Sequence, residues 1–246
     1  MIYIYTILIS FTFSQLELSK DSAYKALDGT LSNYISKDGN VDYMAILENP
    51  YSINEYLDFI EKVSPRNHPE LFNTKNDAIA YWINTYNALV IKILIDNPEV
   101  SSILDVTFKH AIFWKRHLVG GEMISLNMIE HKILRKEIQD PRIHFAINCG
   151  SVSCPPLGNR IFYGEKLDLQ LNNKAYDFIN NGIDVKIDST HKIIYLNKIF
   201  KWYKKDFGNL YSYLCIYLDG IEDCNLIRDY KISYDRYNWD INRTNN

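Results

Sequence analysis

Residues 142–158, RIHFAINCGSVSCPPLG, place one histidine and two cysteines, His144, Cys149 and Cys154, within a short stretch. A thiol beside an imidazole is the minimum equipment for nucleophilic catalysis, because the base takes the thiol proton and the thiolate attacks an acyl carbon. The same side chains could instead ligate zinc, and the two sulfurs could form a disulfide. A zinc site from His144, Cys149 and Cys154, with Glu130 or His131 as fourth ligand, fits the usual close pairs of zinc modules poorly. No metal or other cofactor is therefore expected.

The pattern predicts a short strand over 142–148, whose alternation would put Arg142, His144, Ala146 and Asn148 on one face. Gly150 permits unusual dihedrals in the loop that follows, while Pro155 and Pro156 force an extended exit. Cys154 does not open a helix, so a lowered thiol pKa there would need His144 or another cation. The first functional reading is thus a cysteine-dependent hydrolase or acyltransferase, with Cys154 as nucleophile, His144 as base and Glu130 or Asn84 as orienting group. It is loosely similar to papain-like and transglutaminase-like enzymes, although there the cysteine opens a helix and precedes the histidine. The alternative is a non-catalytic binding or scaffold domain, held by a Cys149–Cys154 disulfide. Either would take a small-molecule or peptide ligand.

Other elements must position these groups. Residues 76–96, NDAIAYWINTYNALVIKILID, are apolar nearly all round and predict a central buried helix that ends before Asn97 and Pro98. Asn84 and Asn87 share one stripe of it with Ala80, Ala88 and Ile91, so two amides must find partners in the interior. Ser125 can cap a helix over 126–137, on which Glu130 stands among Leu126, Ile129, Ile133 and Leu134 as a carboxylate on the buried side. His131 points away from that side. A Gly120-Gly121 turn predicts a hairpin, KIIYL a strand, and 20–36, 52–63, 165–181, 198–205 and 209–218 further helices. The expected fold is one α+β domain over 20–246, with a central buried helix and a small, mainly antiparallel sheet surrounded by helices, distantly papain- or transglutaminase-like.

The chain has 246 residues, 47% of them hydrophobic, which is enough for a sizeable core. Thirty acidic residues nearly balance twenty-seven basic ones and no long basic run occurs, which argues against nucleic acid as the partner. Residues 1–13 carry no charged side chain and are too short for a bilayer span of ~20 residues, but suit the core of a signal peptide. Residues 1–19 are accordingly expected to be a leader, with the mature chain starting between Gln15 and Lys20, exported to the periplasm or outside the cell and not inserted in a membrane. Export would let the cysteines, Cys149, Cys154, Cys215 and Cys224, form disulfides.

The segments AYWINTYNALVIKILID, SLNMIEHKILR, DPRIHFAINCGSVSCPPL, NKIFKWYKKDFG and YNWDIN resemble, in this order, the family grouped as domain of unknown function 547. The resemblance spans about residues 24–242. It implies that the family's recurrent residues fall on Trp82, Asn84, Tyr86, Asn87, Glu130, His131, His144, Cys149, Ser153, Cys154, Pro155 and Pro156. Trp82, Asn87, Cys149 and Ser153 are thereby expected at a binding site. The family implies no defined activity.

Overall fold

The computed structural model describes residues 2–106, 112–220 and 224–244. Its centre is α4 (Lys75–Ile95). Thr74 and Asp77 form a reciprocal cap at its start: the Thr74 hydroxyl accepts from the Asp77 N–H at 3.1 Å and the Asp77 carboxylate from the Thr74 N–H at 2.9 Å. The helix is long and apolar enough to cross a membrane, but 89% of its apolar window is buried inside the protein. It is the core helix that its all-round apolarity predicts.

Three helices precede it: α1 (Ile2–Tyr34), α2 (Tyr43–Glu48) and α3 (Tyr51–Lys62). α1 packs on α3, and both α2 and α3 pack on α4. Most side chains of the leader expected over 1–19 lie outside the described residues.

β1 (Arg116–Val119) and β2 (Glu122–Ser125) form the predicted hairpin, with Arg116 opposite Ser125 and Val119 opposite Glu122. Ser125 caps α5 (Leu126–Met128), its hydroxyl accepting from the Met128 N–H at 3.2 Å. The helix then widens into a π-helix over Ile129–Ile138. After α6 (Leu167–Asn180) comes a three-stranded sheet. In it β3 (Val185–Asp188) runs antiparallel to β4 (Ile193–Leu196), and β4 pairs in parallel with β5 (Lys231–Tyr234). The parallel pair requires a crossover, which α7 (Ile199–Trp202), α8 (Lys204–Phe207) and α9 (Leu210–Cys215) supply. The class is α+β, with one antiparallel hairpin and one mixed sheet.

The strand predicted over 142–148 is instead a 3₁₀ turn, Pro141–Phe145, followed by irregular chain. Asp140 caps the turn by accepting from the Arg142 N–H at 2.9 Å, and Pro141 brings a φ already suited to a helical first position. No neighbouring strand offers a ladder; the Asn87 amide takes its place. Asn87 Nδ2 donates to the Ala146 carbonyl at 3.0 Å and Oδ1 accepts from the Asn148 N–H at 2.9 Å. Side chains therefore do not alternate across two faces. Ile143, Ala146 and Ile147 enter the core around α4, whereas Phe145 enters a second, aromatic core with Phe178, Phe200 and Phe207. His144 sits at the seam.

Because Asn87 satisfies two buried backbone groups, Asn87→Ala leaves both without partners, at about 1–3 kcal/mol each. Urea unfolding is expected to show a loss of roughly 2–6 kcal/mol. A loss within about 0.5 kcal/mol, the range of an ordinary surface change, would mean that the amide is not the clamp.

Candidate active site

His144 lies flat against Tyr203, with ring centroids 3.9 Å apart and planes inclined by 18°. Only 3% of the residue is exposed, and Nε2 is 2.8 Å from Asp206 Oδ2. Asp206 is also held by both forks of Arg135, at 2.6 Å from Nε and 3.0 Å from Nη2. Burial pushes the His144 imidazolium down to about 4, against the opposing pull of the Asp206 hydrogen bond. Burial would raise Asp206, but the Arg135 and His144 hydrogen bonds outweigh it and keep its carboxyl below the ordinary value. At neutral pH the pair is a neutral imidazole beside a carboxylate. A carboxylate can only accept, so Nε2 carries the proton and Nδ1 is left as the proton acceptor.

Glu130 stands in the first turn of the π-helix, 7% exposed. Tyr86 of α4 donates to Oε2 at 3.3 Å, and Tyr203 donates to Oε1 at 2.5 Å. The carboxylate on the apolar stripe is thus buried and bonded to the central helix, as the pattern required. It reaches His144 through Tyr203, whose hydroxyl it anchors and whose ring covers the imidazole. The carboxylate that bonds His144 is that of Asp206, while Glu130 bonds Tyr86 and Tyr203 and Asn84 bonds Phe162.

Cys149 and Cys154 are both free thiols, not the two halves of a disulfide. The Cys149 N–H donates to Cys154 Sγ at 2.8 Å, and the two thiols hydrogen-bond each other. Cys149 Sγ also lies 3.0 Å from Ser151 Oγ and 3.4 Å from the Tyr237 hydroxyl. Burial would raise the Cys149 thiol, but the hydrogen bonds from Cys154, Ser151 and Tyr237 outweigh it and bring it down to about 7. Cys154 moves the other way, pushed well up by burial and then by Cys149. The loop is fixed from below by Asn148, whose Nδ2 donates to the Pro155 carbonyl at 2.7 Å and whose Oδ1 accepts from the Gly150 N–H at 2.7 Å. Gly150 has φ +84°, and a Cβ there would come within 2.6 Å of Leu94 of α4, so this turn requires glycine.

These groups share one cavity of 460 Å³, lined by Glu130, His131, His144, Cys149, Cys154 and the aromatic rings of Tyr86, Trp202, Tyr203, Tyr237 and Trp239. The size suits a small molecule or a peptide side chain. Among the described residues His144 makes no hydrogen bond to either thiol; it faces the same space. No group of three or more His, Cys, Asp or Glu is placed to hold a metal ion among those residues.

The other expected site residues lie apart from the cavity. Asn84 clamps Phe162, donating to its carbonyl and accepting from its N–H, both at 2.9 Å. Asn87 clamps 146–148 as described. Trp82 is buried edge-on to Tyr81, with the Arg66 guanidinium 5.6 Å over its ring. Ser153 is paired with Asn238, whose N–H reaches its hydroxyl at 2.9 Å. Tyr203, Asp206 and Tyr237 are what the residue patterns missed. Asp206 reads as a solvated acid after two lysines, and the signal that could have singled it out was its place in NKIFKWYKKDFG.

The class is an α+β protein in which one cavity is lined by a thiol pair and by a histidine bonded to an aspartate. Residues 70–179 match the model of the family described as Protein of unknown function, DUF547, and the chain carries a domain of that family. No curated protein and no solved structure matches the chain.

Proposed function

We propose that the protein is a cysteine-dependent hydrolase or acyltransferase, acting on an acyl group small or narrow enough to enter the 460 Å³ cavity. The observation that carries this reading is that one cavity holds both a thiol bonded by surrounding donors and a neutral histidine oriented by a carboxylate. The hydrogen bonds favour Cys149 as nucleophile over Cys154, because they favour the thiolate on Cys149. Cys149 attacks the acyl carbon, forming a thioester and breaking the bond to the leaving group. In acylation the proton of the Cys149 thiol passes through His144 Nδ1 to the leaving group; in deacylation Nδ1 takes a proton from the incoming water or acceptor and returns it to the Cys149 sulfur. Asp206 holds the ring in the tautomer this needs, and Tyr203, anchored on Glu130, covers its face.

The protein is further proposed to be exported, on the strength of its uncharged apolar start. A mature N-terminus between Gln15 and Lys20, read by N-terminal sequencing from the native host, would support this; an intact Met1 on cytoplasmic protein would remove it.

A panel of chromogenic esters, thioesters and peptide amides tests the catalytic reading. Cys149→Ala is expected to remove turnover, and Asp206→Asn to lower kcat by a factor on the order of 10⁴ through the wrong His144 tautomer, with folded circular dichroism retained. Turnover unchanged in Cys149→Ala would end the assignment of that thiol.

A further inference from the structure

Cys149 and Cys154 are side by side, yet nothing in an acyl-transfer reaction calls for a second thiol. A backbone N–H that points at a sulfur is an ordinary way to hold a thiolate, but the thiol of Cys154 is itself a poor anion here and its hydrogen bond goes to Cys149. The 2.8 Å bond from the Cys149 N–H to Cys154 Sγ also fixes how near the sulfur lies to the Cys149 backbone. With an N–Cα bond of ~1.46 Å, Cys154 Sγ is at most about 4.3 Å from Cys149 Cα. A sulfur held that near the Cys149 backbone, in a thiol already hydrogen-bonded to the Cys149 thiol, leaves a short closure to the ~2.05 Å bond of a disulfide. Both residues keep some exposure to the cavity, so a small oxidant can reach them. The loop between them carries Gly150 at φ +84° and the turn that closes from the Cys154 N–H to the Ser151 carbonyl at 3.0 Å, which brings the two side chains back to one point.

We propose that this pair is a peroxide-sensitive modification site, in which Cys149 is oxidised first and Cys154 resolves it to a disulfide that reversibly shuts the cavity's chemistry. The inference rests on the reading of Cys149 as the reactive thiol. In the first step the Cys149 thiolate attacks one oxygen of hydrogen peroxide; an S–O bond forms, the O–O bond breaks and hydroxide leaves. In the second the Cys154 sulfur attacks the Cys149 sulfur; an S–S bond forms, the S–O bond breaks, and the Cys154 proton leaves with the hydroxyl as water. Two thiols lose two electrons, and peroxide is reduced to two molecules of water. Without Cys154 the sulfenic acid would stay open to further oxidation to the irreversible sulfinic acid. Cys154 therefore protects the nucleophile as well as silencing it.

The full chain suits a direct test, because trypsin cleavage after Arg142 and Arg160 leaves both cysteines on one peptide. After brief treatment with hydrogen peroxide, that peptide is expected to become lighter by two hydrogens, to regain its mass with dithiothreitol, and to take up almost no dimedone. In Cys154→Ser the same exposure is expected to give at least about ten times more dimedone adduct on Cys149, followed by sulfinic acid. Cys149→Ser, measured alongside, is expected to leave Cys154 reduced. Wild-type peptide that gains two oxygens on Cys149 at the rate seen in Cys154→Ser, with no link, would overturn the proposal. So would a link that dithiothreitol does not reverse. These readouts use no substrate. A peroxide-formed link together with full turnover in Cys149→Ala would uphold the oxidation site while ending the assignment of Cys149 as nucleophile; lost turnover in Cys149→Ala with no link would end the switch alone.

Discussion

Alkylation of the native, reduced protein by iodoacetamide is expected to follow a thiol that ionises near pH 7 and to fall on Cys149. The midpoint is a better readout than the rate. At pH 7 a thiol of pKa about 7 is half ionised, against about 3% for one at ~8.5, but the lower basicity costs roughly fivefold in nucleophilicity. The net gain is only about threefold, whereas the midpoint moves by more than a unit. Cys149→Ser should abolish this component and leave labelling of Cys154 only in alkaline solution, because burial pushes that thiol up. Cys154→Ala should move the Cys149 midpoint upward, since the hydrogen bond that lowers this thiol most is gone. If the component near pH 7 survives Cys149→Ser and is lost in Cys154→Ser, the nucleophile is Cys154, the residue that the sequence pattern favoured.

The second large effect is on stability in acid. His144 binds its proton near pH 4 when folded and near 6.5 when unfolded, so between those values the unfolded chain binds more protons. Its contribution is fully present above about pH 6.5 and is lost as the pH falls toward 4, by about 3 kcal/mol over that window. Below pH 4 this group contributes no further slope. Asp206, held below the ordinary carboxyl value by Arg135 and His144, extends the loss to lower pH. Urea unfolding at steps from pH 7 to 4 is expected to show the decline in wild type and a much flatter curve in His144→Gln. A wild-type curve flat across this window would mean that the imidazole is not buried in its neutral form.

What was legible in the sequence was legible through period and punctuation. α4 declares itself by apolarity on all sides, the hairpin by Gly120-Gly121, and the start of α5 by Ser125. Glu130 was found because a carboxylate on an apolar stripe must have a partner, and Tyr86 and Tyr203 supply it. The segment around His144 misled because a short apolar alternation is all that period 2 requires, while Asp140, Pro141 and the Asn87 side chain, which decide the backbone there, act from outside the pattern. Asp206 was out of reach for a different reason. It lies 62 residues beyond His144. Nothing local distinguishes an acid that folds inward from one that stays in water. The rank of the two thiols likewise depends on Ser151 and on Tyr237, 88 residues from Cys149.

The loop that carries both thiols is stitched to the last part of the chain. Its Val152 N–H donates to the Asp240 carbonyl at 2.8 Å, its Gly150 carbonyl accepts from the Asn242 N–H at 3.1 Å, and Ser153 is bonded to Asn238, 85 residues away. A polypeptide is made from its amino end, so Cys149 and Cys154 leave the ribosome long before those partners exist. At about 5–20 residues per second, the interval is several seconds. During it Tyr237 cannot touch Cys149, so one of the three donors that lower this thiol is missing while Cys154 and Ser151 are already made. The final surroundings of the Cys149 sulfur thus wait until the segment from Tyr237 to Asn242 has been made and has folded back onto the loop.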